Sequence, residues 1–231
     1  MKRSSILLTL LTALVFTACR QGEFLEFEQI TRENFPSIAL HDEHTKAPLV
    51  FADGEHPEQA SIYFETTEGR HTIKGRPLRY KHSSVYFETI WLVDERNVTI
   101  TIRKDSGYYT FGFSAKPARG ILKWGFSLNA SADEYFTGLF ERTVDGDQKE
   151  SWKEGIESGM DLRGQQVEMI IKPTLSLYCP FYYSSNGYGL FIEGTWPGRY
   201  DFCVTDSSRV KIEFEGSSLS GRIYTSPDPA D

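Results

Sequence analysis

The chain is 231 residues long and acidic, with a formal net charge of −7 from 25 Lys and Arg against 32 Asp and Glu. Apolar residues at 39% and aromatics at 14% supply a sizeable core, which excludes a largely disordered chain and leans toward a β-rich or sugar-handling protein. No run of Lys and Arg exceeds a pair, so the negative balance repels a phosphate backbone and nucleic acid is excluded as a partner class.

The chain opens Met1-Lys2-Arg3, runs apolar from Ile6 to Phe16 and closes with Thr17-Ala18-Cys19. A positive start, a short apolar stretch and small residues are the parts of an export signal, expected over residues 1–18. The stretch is shorter than the roughly 20 residues a bilayer span needs, and no later segment is apolar enough to cross. Phe16-Thr17-Ala18-Cys19 resembles a relaxed bacterial lipobox, with Phe16 in place of the usual Leu. That implies cleavage before Cys19, lipid on Cys19, and an exported, membrane-anchored lipoprotein at the periplasmic or cell surface. An ordinary secretory signal cut near Cys19 is the alternative. Loss of Lys2 and Arg3 moves the net charge to about −9.

Residues 19–231 read as one antiparallel β-sandwich with little helix. His41-Asp42-Glu43-His44, between Pro36 and Pro48, reads as a solvated polar turn and not as a metal site. Period-two alternation then recurs in Ser61–Glu65, Val85–Val93, Asn97–Arg103, Tyr108–Ser114 and Ile121–Leu128, and later in Leu175–Tyr183, Gly189–Glu193, Arg209–Phe214 and Gly221–Tyr224. Within the third of these, Val98, Ile100 and Ile102 are expected inside, with Thr99 and Thr101 more exposed. Asp53-Gly54, Asp105-Ser106-Gly107, Asn186-Gly187 and Pro197-Gly198 punctuate the strands. Asp145-Gly146-Asp147 lacks the other positions of a calcium loop and reads as a plain turn. Gln148–Met160 is the best helical candidate, yet Gly155 and Gly159 and the lack of an apolar stripe make it a long loop. Cys179 and Cys203 lie in aromatic surroundings where a buried free thiol is expected. No phosphate loop, nucleophile elbow or zinc pattern occurs, so neither a cofactor nor a metal is expected.

Three blocks in the second half are more specific: Asp133-Glu134-Tyr135-Phe136-Thr137-Gly138-Leu139-Phe140-Glu141-Arg142, Met160-Asp161-Leu162-Arg163-Gly164, and Pro180-Phe181-Tyr182-Tyr183-Ser184-Ser185-Asn186-Gly187-Tyr188-Gly189-Leu190-Phe191. Together they resemble the N-terminal, galactose mutarotase-like β-sandwich of glycoside hydrolase family 31, which includes α-glucosidases and α-xylosidases. Phe140 stands where that family's first block has a glycine. The resemblance is strongest over 133–224.

In that family both catalytic aspartates sit on a (β/α)₈ barrel that follows the sandwich and takes roughly 250 further residues. The resemblance therefore assigns no catalytic residue to this chain and implies a truncated member, a split gene product whose barrel is a separate chain, or a free-standing sandwich. A loop of the family's sandwich reaches the sugar subsites, and the matching region here offers Trp152, Asp161, Arg163, Lys172 and Thr174 as carbohydrate contacts, an indole being suited to stacking on a pyranose. The expected ligand class is an α-glycoside. A stand-alone carbohydrate-binding or assembly module is the alternative. A mutarotase-like enzyme, a third reading, needs a histidine and a carboxylate converging on one sugar, with His56, His71 and His82 available.

Overall fold

The structure, a computed structural model, describes residues 24–29, 35–139, 161–171 and 178–226, and every regular element among them is a strand. In chain order the first are β1 (Phe24–Gln29), β2 (Pro36–His41), β3 (Leu49–Ala52), β4 (Tyr63–Thr66), β5 (Gly69–Thr72) and β6 (Arg79–Ser83). The long central strands follow: β7 (Tyr86–Val93), β8 (Arg96–Asp105), β9 (Tyr108–Lys116) and β10 (Ile121–Asn129). The rest are β11 (Phe136–Gly138), β12 (Gln165–Met169), β13 (Phe181–Ser184), β14 (Tyr188–Ile192), β15 (Gly198–Phe202), β16 (Arg209–Glu215) and β17 (Ser218–Thr225).

They form an eight-stranded sheet in the order β11-β13-β14-β17-β9-β8-β7-β6, a six-stranded sheet in the order β12-β15-β16-β10-β4-β5, and a small sheet β1-β2-β3. All the pairings are antiparallel. Chain neighbours β9 and β10 fall in different sheets, and the aromatic rings they turn inward lock the two layers together. Phe113 of β9 lies 6.3 Å from Trp124 and 5.4 Å from Phe126 of β10, and Phe51 of β3 fills the space between Phe111 at 5.9 Å and Phe126 at 5.8 Å. Farther along, Tyr182 of β13 meets Phe202 of β15 at 5.1 Å, at right angles. Each such ring, fully buried, contributes on the order of 2 kcal/mol by leaving water. Cys179 and Cys203 are free and half-buried, so no disulfide joins them.

The alternation expected for β8 holds: Val98, Ile100 and Ile102 are fully buried, while Thr99 and Thr101 are half-buried on the other face. All nine expected strands coincide with observed ones, although of the Leu175–Tyr183 candidate only Phe181–Tyr183 is strand among the described residues, the strand running on to Ser184. The eight other strands were not anticipated. Most are four to six residues long; β5 and β6 carry mainly polar residues, and β6 is exposed throughout as the sheet edge. Short or edge strands lack the buried alternation that makes a strand readable. Gln148–Met160 and Asp145–Asp147 lie outside the described residues.

The polar turn after β2 differs in one respect from its expected solvation. Asp42 is only 8% exposed, accepting from His44 N at 2.9 Å and from the Tyr109 hydroxyl at 2.9 Å. Burial, the Asp42 bond and the Asp42 charge push the Tyr109 hydroxyl well above the usual phenol range. The turn is therefore pinned to the core by its carboxylate.

Candidate functional site

The three sequence blocks converge at one end of the sandwich. β11 pairs with β13 through Phe136↔Ser184, and β13 pairs with β14 around Asn186-Gly187, so the first and third blocks form adjacent strands. Gly187 has φ +97°, and a side chain there would run into the carbonyl of His44, so the turn requires glycine. The middle block is tied to both. Leu162 N donates to Phe136 O at 2.8 Å, and Asp161 Oδ1 accepts from Phe136 N at 3.0 Å and Arg163 N at 2.9 Å. The Arg163 guanidinium donates to Glu134 O at 2.8 Å and Ser207 O at 2.9 Å.

Glu134 sits at the centre, 4% exposed, accepting from the Ser184 hydroxyl and from Ser131 N at 3.0 Å. Burial raises its pKa, and the Ser184 and Ser131 bonds together with the Arg163 charge only partly offset this. Tyr182 and Tyr188, both fully buried, share a hydroxyl–hydroxyl bond of 3.2 Å, and burial keeps both phenols protonated well above their usual range. The Cys203 thiol is pushed up to about 11, first by burial, so at neutral pH it is not a thiolate nucleophile.

Chemically this is a closed polar junction. Its titratable groups are held in their neutral forms or bonded to backbone, and none faces an acid–base partner across an open gap. Its work is positional: it fixes the chain on either side of residues 140–160. Of the expected carbohydrate contacts, Asp161 and Arg163 stand in this junction with the bonds just given. Trp152, Lys172 and Thr174 lie outside the described residues, as does Cys19. Sequence reasoning quoted Glu134 and Ser184 within its blocks but did not single them out, because a pair 50 residues apart becomes visible only once β11 and β13 are in register.

The three histidines stand apart from one another. His56 Nδ1 is 3.2 Å from Asp53 Oδ2, whose other oxygen caps the same turn. His71 stacks on Phe64 at 5.0 Å, with Nε2 3.0 Å from Thr66 Oγ1. His82 lies edge-on to Phe87 at 6.4 Å on β6. His56 beside Asp53, and His71 with Nδ1 3.9 Å from Asp94 Oδ2, each stand next to a carboxylate, at different places in the chain. Among the described residues no three of His, Cys, Asp and Glu are grouped as a metal ion would require.

No protein-family model matches the chain, and no curated protein matches it. Among solved structures, a GH31 family sulfoquinovosidase from E. rectale superimposes with a TM-score of 0.61 at 13% identity, over 87% of this chain and 32% of that enzyme. A GH31 dextranase from Flavobacterium johnsoniae in complex with glucose superimposes more loosely, with a TM-score of 0.36 at 14% identity, over 91% of this chain and 25% of that one. A xylosidase from Aspergillus niger gives 0.37 at 14% identity, over 88% of this chain and 30% of that one. The described residues are thus a β-sandwich with the fold of a segment of a GH31 glycosidase, and the chain spans about a third of the length of the first of these enzymes.

Proposed function

We propose that the chain is the N-terminal, galactose mutarotase-like β-sandwich of a protein of glycoside hydrolase family 31, serving α-glycoside metabolism by holding carbohydrate beside a catalytic barrel that these residues do not themselves form. The observation that carries this reading is the superposition on the E. rectale enzyme over 87% of the chain. The meeting of the three family-like blocks in one junction supports it. On this reading Trp152, Lys172 and Thr174, with Asp161 and Arg163 of the junction, are the carbohydrate contacts. Export and a lipid on Cys19 place the sandwich at the membrane surface, where its partner is the barrel, on a separate chain or a further segment.

Glycoside hydrolysis needs one carboxyl to protonate the leaving oxygen and a second at the anomeric centre. The described junction offers no such open pair. The purified chain is therefore expected to leave aryl α-glucosides and α-xylosides intact while being retarded in native gels containing soluble α-glucan. Hydrolysis that survives purification and disappears in Asp133→Asn or Asp161→Asn would overturn the reading, as would unretarded migration across the α-glucan series.

A further inference from the structure

Behind the buried face of the eight-stranded sheet lies an outer face whose register assembles a polar trough. Glu88, Thr101, Gly112 and Ser220 stand in one row across β7, β8, β9 and β17, with Glu193 just beyond β14 accepting from the Ser220 hydroxyl at 3.0 Å. The next row sets Tyr86, Arg103, Thr110 and Arg222 side by side on the same strands. The first row is small at Thr101, Gly112 and Ser220, and in the second Thr110 is small between Arg103 and Arg222, so this part of the face is lower than the groups around it.

Those groups are aromatic and charged. Tyr108 and Tyr224 lie 5.6 Å apart, with Phe181 edge-on to Tyr224 at 6.2 Å and the Arg222 guanidinium 5.4 Å from the Tyr108 ring. Arg222 Nε also pairs with Glu193 at 2.9 Å. On β7 the Tyr86 hydroxyl donates to Glu88 at 2.7 Å, and on β8 Arg103 pairs at 2.9 Å with Asp105, the register partner of Tyr108. Arg103, Arg222 and Lys81, which β6 sets opposite Glu88, balance Glu88, Asp105 and Glu193 and leave the face close to neutral, which suits an uncharged ligand better than a phosphate or an acidic glycan. Its floor is hydroxyl and glycine, whereas the centre of a protein–protein interface is apolar and poor in charge. Two large hydrophobics are exposed on the described outer face of these strands: Tyr224 beside the two rows, and Leu92 farther along β7.

We propose that this trough is the carbohydrate-binding surface of the sandwich: a neutral oligosaccharide lies across Thr101, Thr110 and Gly112, stacks at Tyr224, and exchanges hydrogen bonds with the Arg222–Glu193 and Arg103–Asp105 pairs. The site rests on the carbohydrate reading above but uses none of the junction residues Glu134, Asp161, Arg163 and Ser184. Partly exposed ion pairs of this kind contribute little to folding, so their donors and acceptors turn toward hydroxyls at low cost.

The test is an NMR titration of the full chain with maltotriose and isomaltotriose, alongside Arg222→Ala, Arg103→Ala and Tyr224→Ala. The expected result is saturable shifts at the amides of Thr101, Thr110, Gly112 and Ser220, with at least about tenfold weaker binding in Arg222→Ala and Tyr224→Ala. A Lys123→Ala variant on the other sheet should bind as wild type. Sugar binding whose shifts map to Asp161 and Arg163, and which the trough variants leave unchanged, would overturn this site and leave the carbohydrate reading intact. No saturable shift with either sugar would overturn both the site and that reading. Shift mapping on the wild-type chain keeps the test decisive if a variant fails to fold.

Discussion

The outer faces of the two large sheets are built from similar residue types and end in opposite states. On the six-stranded sheet the ring of Tyr63 lies flat across Gly125, its hydroxyl bonds to Glu213, and the Arg70 guanidinium covers it 3.8 Å from the ring centroid. Arg70 in turn reaches Glu65 at 2.8 Å and Glu213 at 3.2 Å, and Lys123 reaches Glu65 at 3.2 Å. The result is a closed lattice in which Tyr63 is only 8% exposed and its hydroxyl is held protonated, first by burial and then by Glu213. On the eight-stranded sheet the corresponding glycine, Gly112, has no ring over it, and Tyr108, Tyr224 and the Arg103–Asp105 and Arg222–Glu193 pairs stand around it. A glycine roofed by an aromatic ring completes a surface; a glycine left open lowers it.

Filling the two glycines gives the largest expected difference. Gly125→Val pushes its side chain into the Tyr63 ring, which must leave its seat together with the Glu213 bond and the Arg70 stack, so thermal or urea unfolding should show a loss of about 2 kcal/mol. Gly112→Ala meets only the Thr101 hydroxyl, 3.1 Å from the added carbon, and because that hydroxyl can rotate the change should stay within about 0.5 kcal/mol. Equal losses at both positions would remove the contrast between the faces. Next in size is Tyr63→Phe, which keeps the ring on Gly125 and removes only the hydroxyl donor to Glu213. An unfolding measurement should register about 1 kcal/mol, the usual worth of one such bond, and no measurable loss would mean that Arg70 and Lys123 already satisfy Glu213.

The sandwich itself was legible because β8, β9 and β16 alternate strictly, and alternation is what a half-buried strand imposes on its sequence. The neighbourhood of the junction was legible as three blocks, but their mutual bonds were not. The Glu134–Ser184 contact spans 50 residues and depends on the pairing of β11 with β13. The trough was wholly illegible. Thr101 read as the exposed side of its strand, Glu88 and Gly112 carried no reading of their own, Ser220 fell just before the expected Gly221–Tyr224 strand, and only the register sets the four in one row. Small residues on a solvent face leave no periodic signal, since neither burial nor helix geometry requires them there.

The smallest expected effect is electrostatic and belongs to the closed face. Partial burial tends to raise the Glu65 pKa, but hydrogen bonds from Arg70 and Lys123, and then their charges, outweigh it and hold the carboxyl below its usual range. A carboxylate whose folded pKa is lowered contributes stability that is present above its unfolded pKa and lost as the pH falls through the folded value. Wild type should therefore exceed Glu65→Gln in stability at neutral pH, and the gap should close as the solution is taken below about pH 4. Water reaches this pair, with the Arg70 side chain 52% exposed, so the gap should be no more than a few tenths of a kcal/mol and should shrink further in about 1 M salt. Matched urea titrations at neutral and acid pH, each at low and high salt, measure it directly. A gap that persists in acid, or one indifferent to salt, would mean that Glu65 acts by packing its methylenes beside Tyr63 and not by its charge, and the lattice on the six-stranded sheet would then be closed by shape alone.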